Sequence, residues 1–105
     1  MTQHMVRYTV KPDQGAQNEE LIRDALAELE RVRPVGFRYV VFKLDDGLSF
    51  VHFISHDTDT GRNPMRELPA LQAFHAGIRE RCDVAPVRTM LSEVGSYGMF
   101  GEGKR

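Results

Sequence analysis

The stretch Phe37–Ser55, FRYVVFKLDDGLSFVHFIS, decides the fold. Two apolar runs rich in aromatic and β-branched residues flank Asp45-Asp46-Gly47, and an Asp-Gly pair between such runs is a strong hairpin signal. Strand side chains alternate between faces. A turn at Asp46-Gly47, or a four-residue loop in the same register, therefore sets Lys43 opposite Phe50, Val41 opposite His52 and Tyr39 opposite Ile54. One face then carries Phe37, Tyr39, Val41, Lys43, Phe50, His52, Ile54 and His56. The other carries Arg38, Val40, Phe42, Leu44, Ser49, Val51, Phe53 and Ser55. A three-residue bulged loop would flip one strand against the other and undo this sorting. Both faces are largely apolar, so each requires a cover.

Upstream of the hairpin, MVRYTV predicts a strand over Met5–Val10, broken by Pro12 and Gly15. A helix follows in NEELIRDALAELERVRP, with Leu21, Ile22, Ala25, Leu26, Leu29 and Val32 at helical spacing. Glu19 and Glu20 open it, Arg31 and Arg33 close it, and Pro34 and Gly36 end it. Downstream, HDTDTGRNPMRELP reads as a loop, Asp57 and Asp59 being loop residues, with a helical turn capped by Asn63 and begun by Pro64. A second helix is expected from Pro69 to Cys82, its apolar stripe Leu71, Phe74, Ile78 and Cys82 with His75 beside Phe74. Val87–Val94, after Pro86, reads as the last strand. One domain is expected over 1–105, with the core at about 5–97 and a flexible tail over 98–105.

A chain of 105 residues with 41% hydrophobic content has room for one core. Its 14 basic and 15 acidic residues are interspersed and leave a formal net charge of −1, which argues against a nucleic-acid partner. No apolar run is long enough to span a membrane and no leader pattern precedes the first strand, so a cytoplasmic location is expected. The single cysteine fits a reducing compartment.

The element order is thus β-α-β-β-α-β, a ferredoxin-like α+β fold with a four-stranded antiparallel sheet and two main helices on one face. The opposite face, with Val40, Phe42, Leu44, Val51 and Phe53, is more apolar than an exposed surface tolerates, so a homodimer joined through it is expected. This element order, the length, the doubly apolar sheet and the LPALQAFHAGIRERC helix over 68–82 resemble the dimeric α+β barrel superfamily, most closely its antibiotic-biosynthesis-monooxygenase-like branch. The resemblance covers about residues 5–97. It implies an apolar cavity inside each subunit in which a small aromatic molecule, once deprotonated, reacts directly with dioxygen without a cofactor. In haem-degrading relatives a histidine of the second helix ligates iron, and His75 is the residue that could match it. The absence of tryptophan departs from both patterns and weakens haem binding or degradation most.

No residue set here forms a nucleophilic triad, a nucleophile elbow or a phosphate loop. Cys82 reads as a small apolar residue of the helix stripe. His52 and His56 share a face, yet four strand residues separate them by about 13 Å at ~3.3 Å per residue. Ligands of one zinc must each lie within about 2.1 Å of it. His4 falls in a terminus expected to be mobile. Neither a metal nor an organic cofactor is therefore expected. His75 admits two readings: a partly buried histidine bonded to a neighbour, or a general base lining a cleft with His52. In the second reading the candidate catalytic residues are His75 and His52, and Tyr39, Tyr8, Phe50 and Phe74 contact an aromatic ligand. The strand position predicts His52 buried, and His56 at the cleft mouth or in solvent. The alternative to a monooxygenase-like enzyme is a non-catalytic dimeric module that binds a small molecule or serves assembly.

Overall fold

The structure, a computed structural model, describes residues 2–57 and 64–99. The expected cap at Asn63, Asp59 and the end of the expected tail lie outside the described residues. Four strands form one antiparallel sheet: β1 (Thr2–Val10), β2 (Phe37–Lys43), β3 (Ser49–His56) and β4 (Cys82–Met90), in the order β2-β3-β1-β4. The long helix α1 (Gly15–Val32) and three short helices, α2 (Pro64–Glu67), α3 (Pro69–His75) and α4 (Ile78–Arg81), complete it. This is the ferredoxin-like α+β arrangement expected from the sequence. No described helix is long and apolar enough to cross a membrane.

The hairpin takes the four-residue loop and keeps the expected register, with Lys43 opposite Phe50, Val41 opposite His52 and Tyr39 opposite Ile54. Asp46 holds the turn by accepting from the backbone N–H groups of Leu48 and Ser49, each at 2.8 Å, and from the Ser49 hydroxyl at 2.6 Å. Gly47, at φ 76°, supplies the left-handed residue the loop needs. Gly36 is needed for space as well: at φ 73°, a Cβ there would meet the Asp57 carboxylate at 2.6 Å.

The face carrying Tyr39 and His52 packs on the helices. Tyr8, Val10, Ile22, Phe50 and Phe74 form its core cluster, with Val6, Leu26, Val41 and Ile78 packed around it. Across the helix layer the Glu28 carboxylate accepts from the N–H of Ala70 at 2.7 Å and so caps the start of α3 from α1.

Three expectations need correction. The second helix does not run to Cys82: Ala76 is extended and Gly77 adopts φ 79°, so α3 stops at His75 and only one further turn follows. Cys82 accordingly opens β4 opposite Val10 rather than lying on a helix stripe. The last strand is Cys82–Met90, not 87–94, and it passes through Pro86. Proline is tolerated because β4 is an edge strand and the register shifts between Arg7 and Thr9 of its partner, opposite this segment. β1 begins at Thr2, which places His4 inside the sheet and buries it, contrary to a mobile terminus.

Candidate functional site

His52 lies at the middle of β3, on the covered face, and is 2% exposed. A tyrosine meets it on either side, one from each neighbouring strand. Tyr8 Oη lies 2.7 Å from Nε2, and Tyr39 Oη lies 2.7 Å from Nδ1. Both contacts follow from register, since Tyr8 is opposite Phe50 and Tyr39 opposite Ile54, one diagonal step on each side of His52.

The series continues into the helices. Asn18 Nδ2 of α1 donates to Tyr8 Oη at 2.8 Å, and Arg81 Nε of α4 donates to Asn18 Oδ1 at 3.1 Å. The Arg81 guanidinium also donates to the carbonyls of Phe74, at 2.8 Å, and Ala76, at 3.4 Å. It lies 5.2 Å from the centre of the Phe74 ring, a cation–π contact. Among the described residues no carboxylate pairs with this buried guanidinium; carbonyls at the end of α3 and the ring face hold it instead.

Burial shapes the electrostatics. Desolvation holds the His52 imidazolium down to a pKa of about 3, with the nearby His75 pushing the same way, so the ring is neutral near pH 7. Desolvation also raises the Tyr8 and Tyr39 phenols well above their ordinary value, so both stay protonated. The pKa of His75 is lowered, first by desolvation.

Of the expected site residues, the structure brings together His52, Tyr8, Tyr39, Phe50 and Phe74. The Phe74 ring lies 5.2 Å from His52 and 6.3 Å from Tyr8, and Phe50 stacks on Tyr8 at 5.6 Å. His75 stands apart, exposed at the end of α3, with its ring 5.5 Å from Phe74. His56 is half-buried at the end of β3, and its Nδ1 has no hydrogen-bond partner among the described residues. Among the described residues no cluster of three metal-ligating side chains occurs.

A cleft of about 170 Å³ lies between α1 and the β2–β3 edge of the sheet, walled by Ile22, Leu26, Val41 and Phe50. Glu19, Arg23 and Lys43 form its rim, Glu19 accepting from Lys43 at 2.7 Å and from Arg23 at 3.1 Å. The cleft is open to solvent, and its volume is of the order that one aromatic ring occupies. Of the expected site residues Phe50 alone lines it; His52, His75, Tyr8, Tyr39 and Phe74 do not.

Asn18 and Arg81 belong to no motif singled out in the sequence. Both carried a signal: Asn18 precedes Ile22 and Ala25 at helical spacing, and Arg81 follows Leu71, Phe74 and Ile78 in the same way. A polar residue on an apolar stripe is buried only with partners.

No protein-family model matches the chain, and no curated protein sequence does. Solved structures do. A protein from Mycobacterium tuberculosis superposes with a TM-score of 0.73 at 18% identity, covering 90% of this chain and 96% of that one. A structure described as an antibiotic biosynthesis monooxygenase gives 0.73 at 14% identity, covering 90% and 100%. SnoaB from Streptomyces nogalater, described as a cofactor-independent oxygenase, gives 0.67 at 18%, covering 90% and 94%. The fold is thus that of the antibiotic-biosynthesis-monooxygenase-like α+β proteins, as the resemblance in the sequence implied.

Proposed function

We propose that this chain is a cofactor-independent, monooxygenase-like enzyme acting on a single-ring, quinol-like aromatic molecule, with dioxygen as oxidant and the deprotonated substrate as reductant. One observation carries the reading: a buried tyrosine–histidine–tyrosine series stands beside a ring-sized cleft, in a fold shared with a cofactor-independent oxygenase. Phe50 and Val41 wall the cleft, and Phe74 packs the far side of His52. With both ring nitrogens engaged, His52 acts through Tyr8 and Tyr39. His75 lies outside the cleft walls and is proposed as the base only for a substrate that extends from the cleft to the end of α3.

The assembly proposed is a homodimer joined through the open sheet face. Val40, Val51 and Phe53 are half-buried there and Phe42 is 44% exposed, its ring set edge-on to Phe53 at 6.0 Å. On β4 the face continues through Val84 and Val87, 55% and 60% exposed. A second copy offers the same apolar surface, which suits a two-fold interface.

Oxygen uptake with a panel of substituted hydroquinones tests the activity. Uptake above autoxidation is expected, falling roughly 100-fold in His75→Ala and in His52→Ala, the usual size of a lost acid–base contribution. If no hydroquinone raises uptake, the alternative takes its place: a non-catalytic dimeric module. The cleft volume, below the ~300 Å³ at which ordinary ligand pockets begin, favours that alternative.

A further inference from the structure

The cleft between α1 and the sheet has an apolar floor and a charged mouth. Glu19, Ile22, Arg23 and Leu26 recur at helical spacing and so share the face of α1 that lines it. From the sheet it is lined by Val41 and Lys43, two residues apart on β2, and by Phe50, opposite Lys43 on β3. The apolar members lie deepest, with Phe50 and Ile22 buried and Leu26 and Val41 half-buried. Glu19 is half-buried, and Lys43 and Arg23 reach solvent.

The charges at this mouth do not balance. Lys43 Nζ donates to Glu19 Oε2 at 2.7 Å and the Arg23 guanidinium donates to Glu19 Oε1 at 3.1 Å, so two cations share one carboxylate and the lining carries an excess of positive charge. An ammonium and a guanidinium each carry more donor hydrogens than one contact uses, whereas both Glu19 oxygens already accept. The Lys43 contact also ties β2 to α1 and holds the Glu19 carboxyl below the ordinary carboxylate range, so that group is ionised near pH 7. What the mouth lacks, beside a floor of the size of one ring, is a second anionic acceptor.

We propose that the cleft binds an aromatic carboxylate, with its ring on Ile22, Leu26, Val41 and Phe50 and its carboxylate at the mouth, accepting from Lys43 and Arg23. The proposal rests on the cleft being an aromatic site, as read above, and adds its charge class: a quinol-like ring that bears a carboxylate is preferred to a neutral ring or one that bears an ammonium group. Glu19 gathers the two cations at the mouth and also competes with the ligand for them, so it limits the affinity. An ammonium substituent would meet two like charges at the same place, and a neutral ring would leave the spare donors to water.

Three phenols that differ in one substituent test it: 4-hydroxybenzoate, phenol and 4-(aminomethyl)phenol, each titrated into the ¹⁵N-labelled chain near pH 7 and followed through the backbone amides of Ile22, Arg23, Leu26, Val41 and Lys43. The benzoate is expected to bind about fivefold tighter than phenol, the size of one exposed charge pair, with the ammonium compound weakest and the preference shrinking in high salt. The double variant Arg23→Met, Lys43→Met is expected to erase the preference of benzoate over phenol. Glu19→Gln is expected to tighten benzoate binding about threefold and to leave phenol binding unchanged, a selective gain that a loosened fold does not produce. Equal binding of benzoate and phenol by the wild type, a preference that survives in the double variant, or no gain in Glu19→Gln overturns the proposal and leaves the aromatic site standing. If none of the three compounds moves these amides at millimolar concentration, the aromatic site falls, and the proposal with it.

Discussion

The two faces of the sheet invert the usual relation between polarity and burial. The covered face holds His52, Tyr8, Asn18 and Arg81 almost out of solvent, while the open face leaves Phe42, Val84 and Val87 largely accessible. The difference lies in where each finds its partners. The polar groups satisfy one another inside the chain, so their burial forfeits little hydrogen bonding. The apolar groups of the open face keep much of their surface accessible, and in the proposed homodimer a second copy would cover it.

Breaking the open face has the largest expected effect. Each fully buried side chain of this size contributes about 1.5–3 kcal/mol, and a two-fold interface counts each one twice. The double variant Phe42→Glu, Phe53→Glu is expected to be monomeric or unfolded where the wild type scatters light as a dimer. A wild type that is monomeric at micromolar concentration would sink the inversion, because the open face would then be tolerated bare.

The covered face is more sensitive to pH. His52 has a folded pKa of about 3, below its ordinary value of 6.5, so the unfolded chain binds a proton that the folded chain refuses. The stability that neutral His52 confers is therefore whole above pH 6.5 and is lost as the pH falls toward 3, by about 1.4 kcal/mol per pH unit within that window. His4 and His75, also lowered, add to the slope in the same sense. Urea unfolding followed from pH 7 to pH 4 is expected to show a slope shallower by about one proton in His52→Phe than in the wild type. Parallel slopes would mean that His52 is not held neutral by burial.

Within the series, Tyr8→Phe removes one hydroxyl and keeps the ring that packs on Phe50 and Phe74. It leaves His52 Nε2 without a donor and an Asn18 hydrogen without an acceptor, which costs about 1–3 kcal/mol in a buried setting. Chemical denaturation measures it, and a loss below about 0.5 kcal/mol would show that water replaces the hydroxyl and that the series is not closed.

How much of this was legible varied with how local the signal was. The hairpin register could be read for a two- or four-residue loop, because Asp46-Gly47 and the two-residue period leave few ways to pair Phe37–Lys43 with Ser49–His56. With it came Tyr39 and His52 on one face. The end of the second helix could not be read: Leu71, Phe74 and Ile78 keep helical spacing through a break that Gly77 makes by its conformation alone. Pro86 reads as a strand breaker, which delays the expected last strand to Val87, and the sheet order reveals that β4 sits on an edge. Asn18 and Arg81 are 63 residues apart, and their meeting depends on α1 and α4 converging over Tyr8, which no local pattern encodes.

His56 offers the smallest effect and the finest test of why polar groups stay buried on the covered face. It shares that face with His52 and packs its ring 6.3 Å from Phe37, yet its Nδ1 is enclosed without a partner among the described residues. Truncation removes the ring contact, worth about 0.5–1.5 kcal/mol. It also removes the enclosed nitrogen, whose lack of a partner is unfavourable by a comparable amount. The two oppose each other, so His56→Ala is expected to change the unfolding free energy by less than about 1 kcal/mol and to leave the oligomeric state and oxygen uptake as in the wild type. A loss near that of Tyr8→Phe would mean that His56 belongs to a second polar series with His4, and that the covered face holds two such centres rather than one.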